Sequence, residues 1–515
     1  MNKYSIIIVS LILIFSLGVK AQLTPQEAVK GMIRGINIGN TMEPPGGEGT
    51  WGNPPLKESA FDDYKKAGFT AIRIPITWDK HTSTTLPYTI DSTWLKRVEQ
   101  VVDWGLQRGL FIIINAHHED WIKKSFSDST LTRFDSIWSQ IAVRFRNKSD
   151  SLIFEILNEP YPMAEQNVNK LNAELLKIIR KTNPTRIISF SGYMWSNSEQ
   201  LVTAAIPDTS DKYLIGYYHS YDPYPFGLVG TGSYGTTSDK NATKAKFDQV
   251  TAWAKKNNIP VILDEFGYIN KCEYNSRMCA YGTVVKQAIN HGVGAFAWDD
   301  GGNFPIYNRN TGDFNEIKDI LIYTYPDSPD NLKIKQLNST TVEVQWQNNT
   351  TDSSDTMVIQ RKANNGNFED YSKVDSTAYQ FIDTVAFPGN SYYYRLKIIK
   401  KDSTLIESYP IMIKTVLMSS VGNTNNHSNT FRLFNNFPNP FNPSTIIEFS
   451  LPHEEKVTLE VYNLLGQEVT TLVNRQMGEG LHTVKFSAAN LSSGFYIYRL
   501  KAGSFISNKK MLLMK

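Results

Sequence analysis

The chain has 515 residues, 41% hydrophobic and 20% charged, an ordinary globular composition with enough apolar material for more than one core. Its 53 basic and 50 acidic residues leave a net charge of +3. That balance argues against a polyanionic partner such as nucleic acid and suits a neutral substrate.

The first residues read as an export signal, with Lys3 in a short basic region, an apolar run from Ile6 to Leu17 and a small-residue cleavage pattern at Val19-Lys20-Ala21. The run is shorter than the roughly 20 residues a membrane span needs. Residues 1–21 are therefore expected to be a signal peptide and the mature protein to be secreted, with no stable membrane span.

Short apolar runs then alternate with amphipathic helical segments. The runs are Ile33–Ile38, Ala71–Ile76, Leu110–Ala116, Leu152–Leu157, Arg186–Phe190, Tyr213–Tyr218, Ile259–Leu263 and Gly294–Trp298. Between them lie stretches such as Leu95–Gln107 and Asn169–Arg180, with apolar residues at helical spacing. Eight strand-helix units in about 250–300 residues are the size and rhythm of a closed (β/α)8 TIM barrel. The spacing predicts an α/β barrel over residues 22–325.

At Tyr325-Pro326-Asp327-Ser328-Pro329 the helical rhythm gives way to strict alternation, as in Thr341–Trp346 and Ser391–Leu396, predicting a β-sandwich over 326–416. A Ser/Asn-rich linker is expected over 417–430 and a second small β domain over 431–515. Neither β domain shows a cluster of ionisable residues suited to chemistry. Cys272 and Cys279 lie close together in a chain marked for export, so a loop-pinning disulfide between them is expected.

Residues at the C-terminal ends of barrel strands face the active-site mouth. There the chain places Arg73, His117 and His118, Asn158-Glu159, His219 and Tyr221, Glu265, and Trp298. A carboxylate closing a buried strand gains nothing from burial, so Glu159 and Glu265 point to chemistry. Two such glutamates, with no metal-ligand triad and no phosphate-binding glycine loop, indicate glycosidic bond cleavage. Asn158 is placed to bond a sugar 2-hydroxyl, and Arg73 and Tyr221 to keep Glu265 ionised. Glu159 is thereby the acid/base and Glu265 the nucleophile. His117-His118-Glu119-Asp120 has the look of a ligand cluster, but neighbours on a strand point to opposite faces, so no metal and no cofactor is expected. Trp51, Trp78, Trp121, Trp195 and Trp298 are candidate sugar-stacking platforms, Trp298 foremost.

The strings Arg34-Gly35-Ile36-Asn37-Ile38-Gly39-Asn40, Arg73-Ile74-Pro75, Asn115-Ala116-His117-His118, Asn158-Glu159-Pro160, His219-Ser220-Tyr221, Asp264-Glu265-Phe266-Gly267 and Ala297-Trp298 run through the whole barrel in order. Together they resemble glycoside hydrolase family 5, the retaining endoglucanase and mannanase family. The resemblance implies double displacement with Glu159 as proton donor and Glu265 as nucleophile, and support from Arg73, His117, Asn158, His219 and Tyr221. It also implies substrate contacts from Asn40, Glu43, His118 and Trp298. The middle domain resembles a fibronectin type III or immunoglobulin-like sandwich through Trp346 and the tyrosine-rich strand ending at Leu396. The last domain, with Phe437-Pro438-Asn439-Pro440-Phe441-Asn442-Pro443 and Tyr462-Asn463-Leu464-Leu465-Gly466, resembles the C-terminal sorting domain of type IX secretion. The expectation is a secreted, monomeric retaining endo-β-1,4-glucanase acting on cellulose or a related β-glucan and addressed to a secretion machine. The rivals are a β-mannanase or xyloglucanase on the same scaffold, and a non-catalytic polysaccharide-binding surface protein.

Overall fold

The computed structural model describes residues 22–350, 352, 355–418, 430–436 and 438–514. The expected signal peptide, most of the expected linker and Phe437 lie outside the described residues.

Eight parallel strands close into a barrel in sequential order. They are β1 (Arg34–Asn37), β2 (Ala71–Ile74), β3 (Phe111–Asn115), β4 (Leu152–Glu155), β5 (Ile188–Phe190), β6 (Leu214–Ser220), β7 (Val261–Phe266) and β8 (Gly294–Ala297). Buried on both faces, they carry near-continuous apolar side chains, which is why they read as runs and not as alternation. The surrounding helices show the complementary stripe: Asp128–Phe145 buries Leu131, Phe134, Ile137, Trp138, Ile141, Ala142 and Phe145. Its start is set by Ser127, which accepts from the Thr130 N–H.

Most strands are shorter than their apolar runs, but β6 and β7 run two and three residues further. Tyr218 faces Leu263 while His219 faces Glu265, so Asp264 is an extra residue in β7. A bulge of this kind breaks the two-residue alternation and turns Asp264 and Glu265 toward the same charged neighbour.

Beyond the barrel, a three-stranded sheet (Asp330–Asn338, Thr341–Gln347, Gln380–Asp383) faces a second sheet built on Thr356–Ala363 and Ser391–Ile399. The C-terminal unit pairs a three-stranded sheet around Ser444–Leu451 with a four-stranded sheet around Glu455–Asn463 and Gly494–Ala502, over a core of its own. The barrel and the middle sandwich share one apolar core.

The expected disulfide is absent. Cys272 and Cys279 are both buried free thiols. Cys272 precedes the helix Tyr274–His291 and donates to the Phe226 carbonyl at 3.0 Å, whereas Cys279 lies within that helix, beside Gly235 and Tyr409. The two sulfurs thus sit against different neighbours.

Candidate active site

Arg73 is fully buried at the C-terminal end of β2 and organises the mouth of the barrel. Its Nε and Nη2 donate to the two oxygens of Glu155 at 2.5 and 2.7 Å, and its Nη1 donates to Glu265 Oε1 at 2.6 Å. Nη1 also reaches Asn37 Oδ1 at 3.0 Å and Nη2 reaches Asn158 Oδ1 at 2.8 Å. Burial opposes its charge, but Glu155, Glu265 and Asp264 outweigh that and keep it a cation. Glu155 is itself held below the ordinary carboxylate range, because Arg73 and Asn115 overcome the effect of burial.

Glu265 is closely held: Tyr221 donates its hydroxyl to Oε2 at 2.8 Å while Arg73 occupies Oε1, and 5% of its side chain is exposed. Glu159 is more open, with 28% of its side chain exposed. Its φ of 38° lies in the left-handed region, a strain of about 1–3 kcal/mol for a non-glycine residue that the surrounding contacts must sustain. Burial works to raise its carboxyl, but the hydrogen bond and charge of His219, with Lys123 and Arg73, bring it below the usual range.

His219 stands between the carboxylates. Its Nδ1 is 3.0 Å from Glu159 Oε1 and 3.5 Å from Glu265 Oε2, and its Nε2 is 3.1 Å from Asp264 Oδ1. Burial disfavours its charge, yet Glu265 and Asp264 hold it well above the ordinary histidine value, so it is an imidazolium. Asp264, buried and facing Glu155, is pushed up to about 7. Glu159, His219 and Glu265 each bring one ligand-type atom within 4.8 Å of the others. That spacing also suits a divalent cation, with which the proton on His219 would compete.

His117 and His118 depart from expectation. Strand β3 ends at Asn115, so the alternation argued for them does not apply, and their rings meet edge to face with centroids 4.6 Å apart. Burial drives His117 well below the ordinary value and His118 to about 4, leaving both neutral. His117 lies parallel to Trp298 at 6.0 Å, and His118 meets Trp51 at 5.4 Å. Asn40 sits at the rim in a left-handed turn, φ 53°. Glu43 is 1% exposed and spends its carboxylate on the backbone N–H groups of Asn40 and Thr41. It braces the turn that carries Asn40.

The tryptophans separate by burial. Trp78 is fully buried with its indole N–H on the Asn115 carbonyl, and Trp121 donates to Glu119 beneath the Arg133 guanidinium. Trp51 and Trp195 are about half exposed, and Trp195 stacks on Tyr161 at 4.0 Å. The sequence reading missed Glu155, Asn37, Asn115 and Asp264. Glu155 had a visible signal, as the one charge inside Leu152–Leu157.

Residues 36–303 match the model of the cellulase family, glycosyl hydrolase family 5, and residues 435–514 match the secretion system C-terminal sorting domain. Endoglucanase H of Acetivibrio thermocellus is 45% identical over 312 residues, which are 59% of this chain and 34% of that protein. The chain thus spans about a third of that relative. A crystal structure of a hyperthermophilic endo-β-1,4-glucanase in complex with substrate is 34% identical, with a TM-score of 0.56 over 58% of this chain and 99% of that one. A tri-modular endo-β-1,4-glucanase from Bacillus licheniformis covers 95% of this chain with a TM-score of 0.64 and 23% identity, a likeness of fold. The chain belongs to the cellulase family, glycosyl hydrolase family 5, and carries a secretion sorting domain at its C-terminal end.

Proposed function

We propose that the protein is a secreted, retaining endo-β-1,4-glucanase in which Glu265 is the nucleophile and Glu159 the acid/base. The observation that carries this reading is the unlike setting of two close carboxylates. One oxygen of each lies within 4.8 Å of the other, an approach that fits the short carboxyl separation, roughly 5–5.5 Å, of retaining enzymes. Both oxygens of Glu265 accept hydrogen bonds, as suits an ionised nucleophile.

In the first step a Glu265 oxygen bonds to the anomeric carbon as the glycosidic carbon–oxygen bond breaks and Glu159 gives its proton to the departing oxygen. In the second, Glu159 takes a proton from water, the water oxygen bonds to the anomeric carbon, and the ester to Glu265 breaks. Arg73 and Tyr221 hold Glu265, Asn158 presents its amide to the 2-hydroxyl, and His219 orients the pair. Trp298, backed by His117, offers an aromatic face to the sugar, and His118 and Asn40 line the rim. Every one of these groups comes from one chain, so we place the activity in the monomer.

Glu265→Gln should lower turnover by several orders of magnitude while cellooligosaccharide binding, followed by calorimetry, persists. Glu159→Ala should lose about 10²–10⁴-fold on cellooligosaccharides and much less on an aryl cellobioside with a good leaving group. Proton NMR of the first product should show the β-anomer, and an α-anomer would refute retention. Rates on carboxymethylcellulose, mixed-linkage glucan, xyloglucan and glucomannan rank the substrates; negligible rates on all the glucans would overturn the glucanase assignment.

A further inference from the structure

Lys123 has no part in the chemistry above, yet it is 6% exposed on the short helix Asp120–Lys124 that follows β3. Its ammonium donates to the His117 carbonyl at 2.7 Å, and among the described residues it forms no ion pair. A buried ammonium without a counter-ion is costly and calls for a reason. Burial pulls it below the ordinary lysine value, and the charge that opposes this most is Glu159, ahead of Asp120, Glu119 and Glu265. The backbone accounts for that ranking. The Asn158 N–H donates to the Ala116 carbonyl at 2.9 Å, tying the chain that carries Glu159 to the end of β3, and the carbonyl holding Lys123 is the next along.

We propose that Lys123 is a positioning residue for Glu159: pinned on the His117 carbonyl, its ammonium is a further fixed positive charge, besides those of His219 and Arg73, that stabilises the ionised form of Glu159 left after proton donation. This rests on the reading of Glu159 as the acid/base. The groups facing Glu159 are His219 from β6, Glu265 from β7, Arg73 from β2, His118 after β3, Tyr221 after β6, and Lys123. Arg73 and Tyr221 bond Glu265 directly and His219 touches both carboxylates. Lys123 is the cation that can be removed without taking a bond from Glu265.

The test is the alkaline limb of kcat/KM against pH on cellotetraose. Removing the cation favours the protonated carboxyl, so Lys123→Met should move that limb up by about one pH unit, and Lys123→Arg should return it. Lys123→Gln keeps a donor for the His117 carbonyl without the charge and should show the same shift, which secures the result if Lys123→Met fails to fold. The limb is assigned beforehand with Glu159→Ala on an aryl cellobioside with a good leaving group. A limb that persists there overturns the acid/base reading and this proposal with it. A limb lost there but unmoved in both neutral Lys123 variants overturns the proposal alone. A raised KM with an unmoved limb makes Lys123 a substrate contact and also overturns it.

Discussion

Arg73 spends its guanidinium on Glu155, Glu265, Asn37 and Asn158, so one buried cation fixes groups from the ends of three strands, β1, β4 and β7, at once. Such a fork is worth more than its Coulomb attraction, because its planar donors fix orientation as well as charge. Glu155 is the counterweight that lets Arg73 stay buried without drawing on Glu265 alone. A second buried glutamate has a different consequence. Burial pushes Glu43 up to about 7 from the ordinary 4.5, against the backbone donors of Thr41 and Asn40. Between pH 4.5 and 7 the folded chain therefore holds a proton that the unfolded chain has released, and stability falls as pH rises through that window. Glu43→Gln cannot titrate and should flatten this slope in thermal melts taken from pH 4.5 to 8. Melting curves of the two proteins that stay parallel across that range would sink the account.

At the scale of elements, the ends of β1 and β8 are packed by omission. Gly39 follows β1, and a Cβ there would stand 2.7 Å from Trp298 Cζ2, while the Gly39 N–H donates to the Asp299 carbonyl at 2.9 Å. The missing side chain is what lets the indole lie beside His117. Gly39→Ala should tilt Trp298, lower kcat/KM about tenfold mainly through KM, and cost about 1–3 kcal/mol of stability. Tryptophan fluorescence and cellooligosaccharide titration would read it, and an unchanged KM would show that Trp298 is not a platform. The bulge in β7 is the other device of this scale: without the extra residue at Asp264, Glu265 would fall out of step with His219 across the ladder.

At the scale of the whole molecule, the middle sandwich is bound into the barrel while the sorting domain keeps its own core. Tyr409 packs on Gly282 of the helix Tyr274–His291, where a Cβ would meet the ring at 2.7 Å. Asn275 exchanges two hydrogen bonds with the backbone of Met412, at 2.9 and 2.7 Å, and Arg395 reaches Asp319 at 2.7 Å. That helix follows β7 and so backs the strand that carries Glu265. A chain ending at residue 418 should melt as the full protein does. One ending at residue 325 exposes the shared core and should melt at least about 5 °C lower in calorimetry, since each kcal/mol lost shifts a domain of this size by about 2–4 °C. Equal melting temperatures for the two truncated chains would show that the shared core contributes nothing.

The barrel was legible because parallel strands covered on both faces must be apolar throughout, so eight runs could be counted, and the carboxylates and histidines that interrupt their ends stood out. Arg73, Asn158, Glu159, His219, Tyr221 and Glu265 do converge, since strand ends of a closed barrel have one mouth to share. The cysteines misled because nearness in sequence does not bring two sulfurs together: Cys272 lies before the helix and Cys279 within it, each against its own neighbours. For Glu43 the fold adds a partner the sequence did not show, the backbone of its own loop at Asn40 and Thr41. Glu155 could be noticed as the one charge in its apolar run, but its role, like those of Asp264 and Lys123, was placed only by the fold. A residue inside a strand or on a short helix shows no chemistry in one dimension, and its charge acquires meaning only through burial and the charges other strands bring to it.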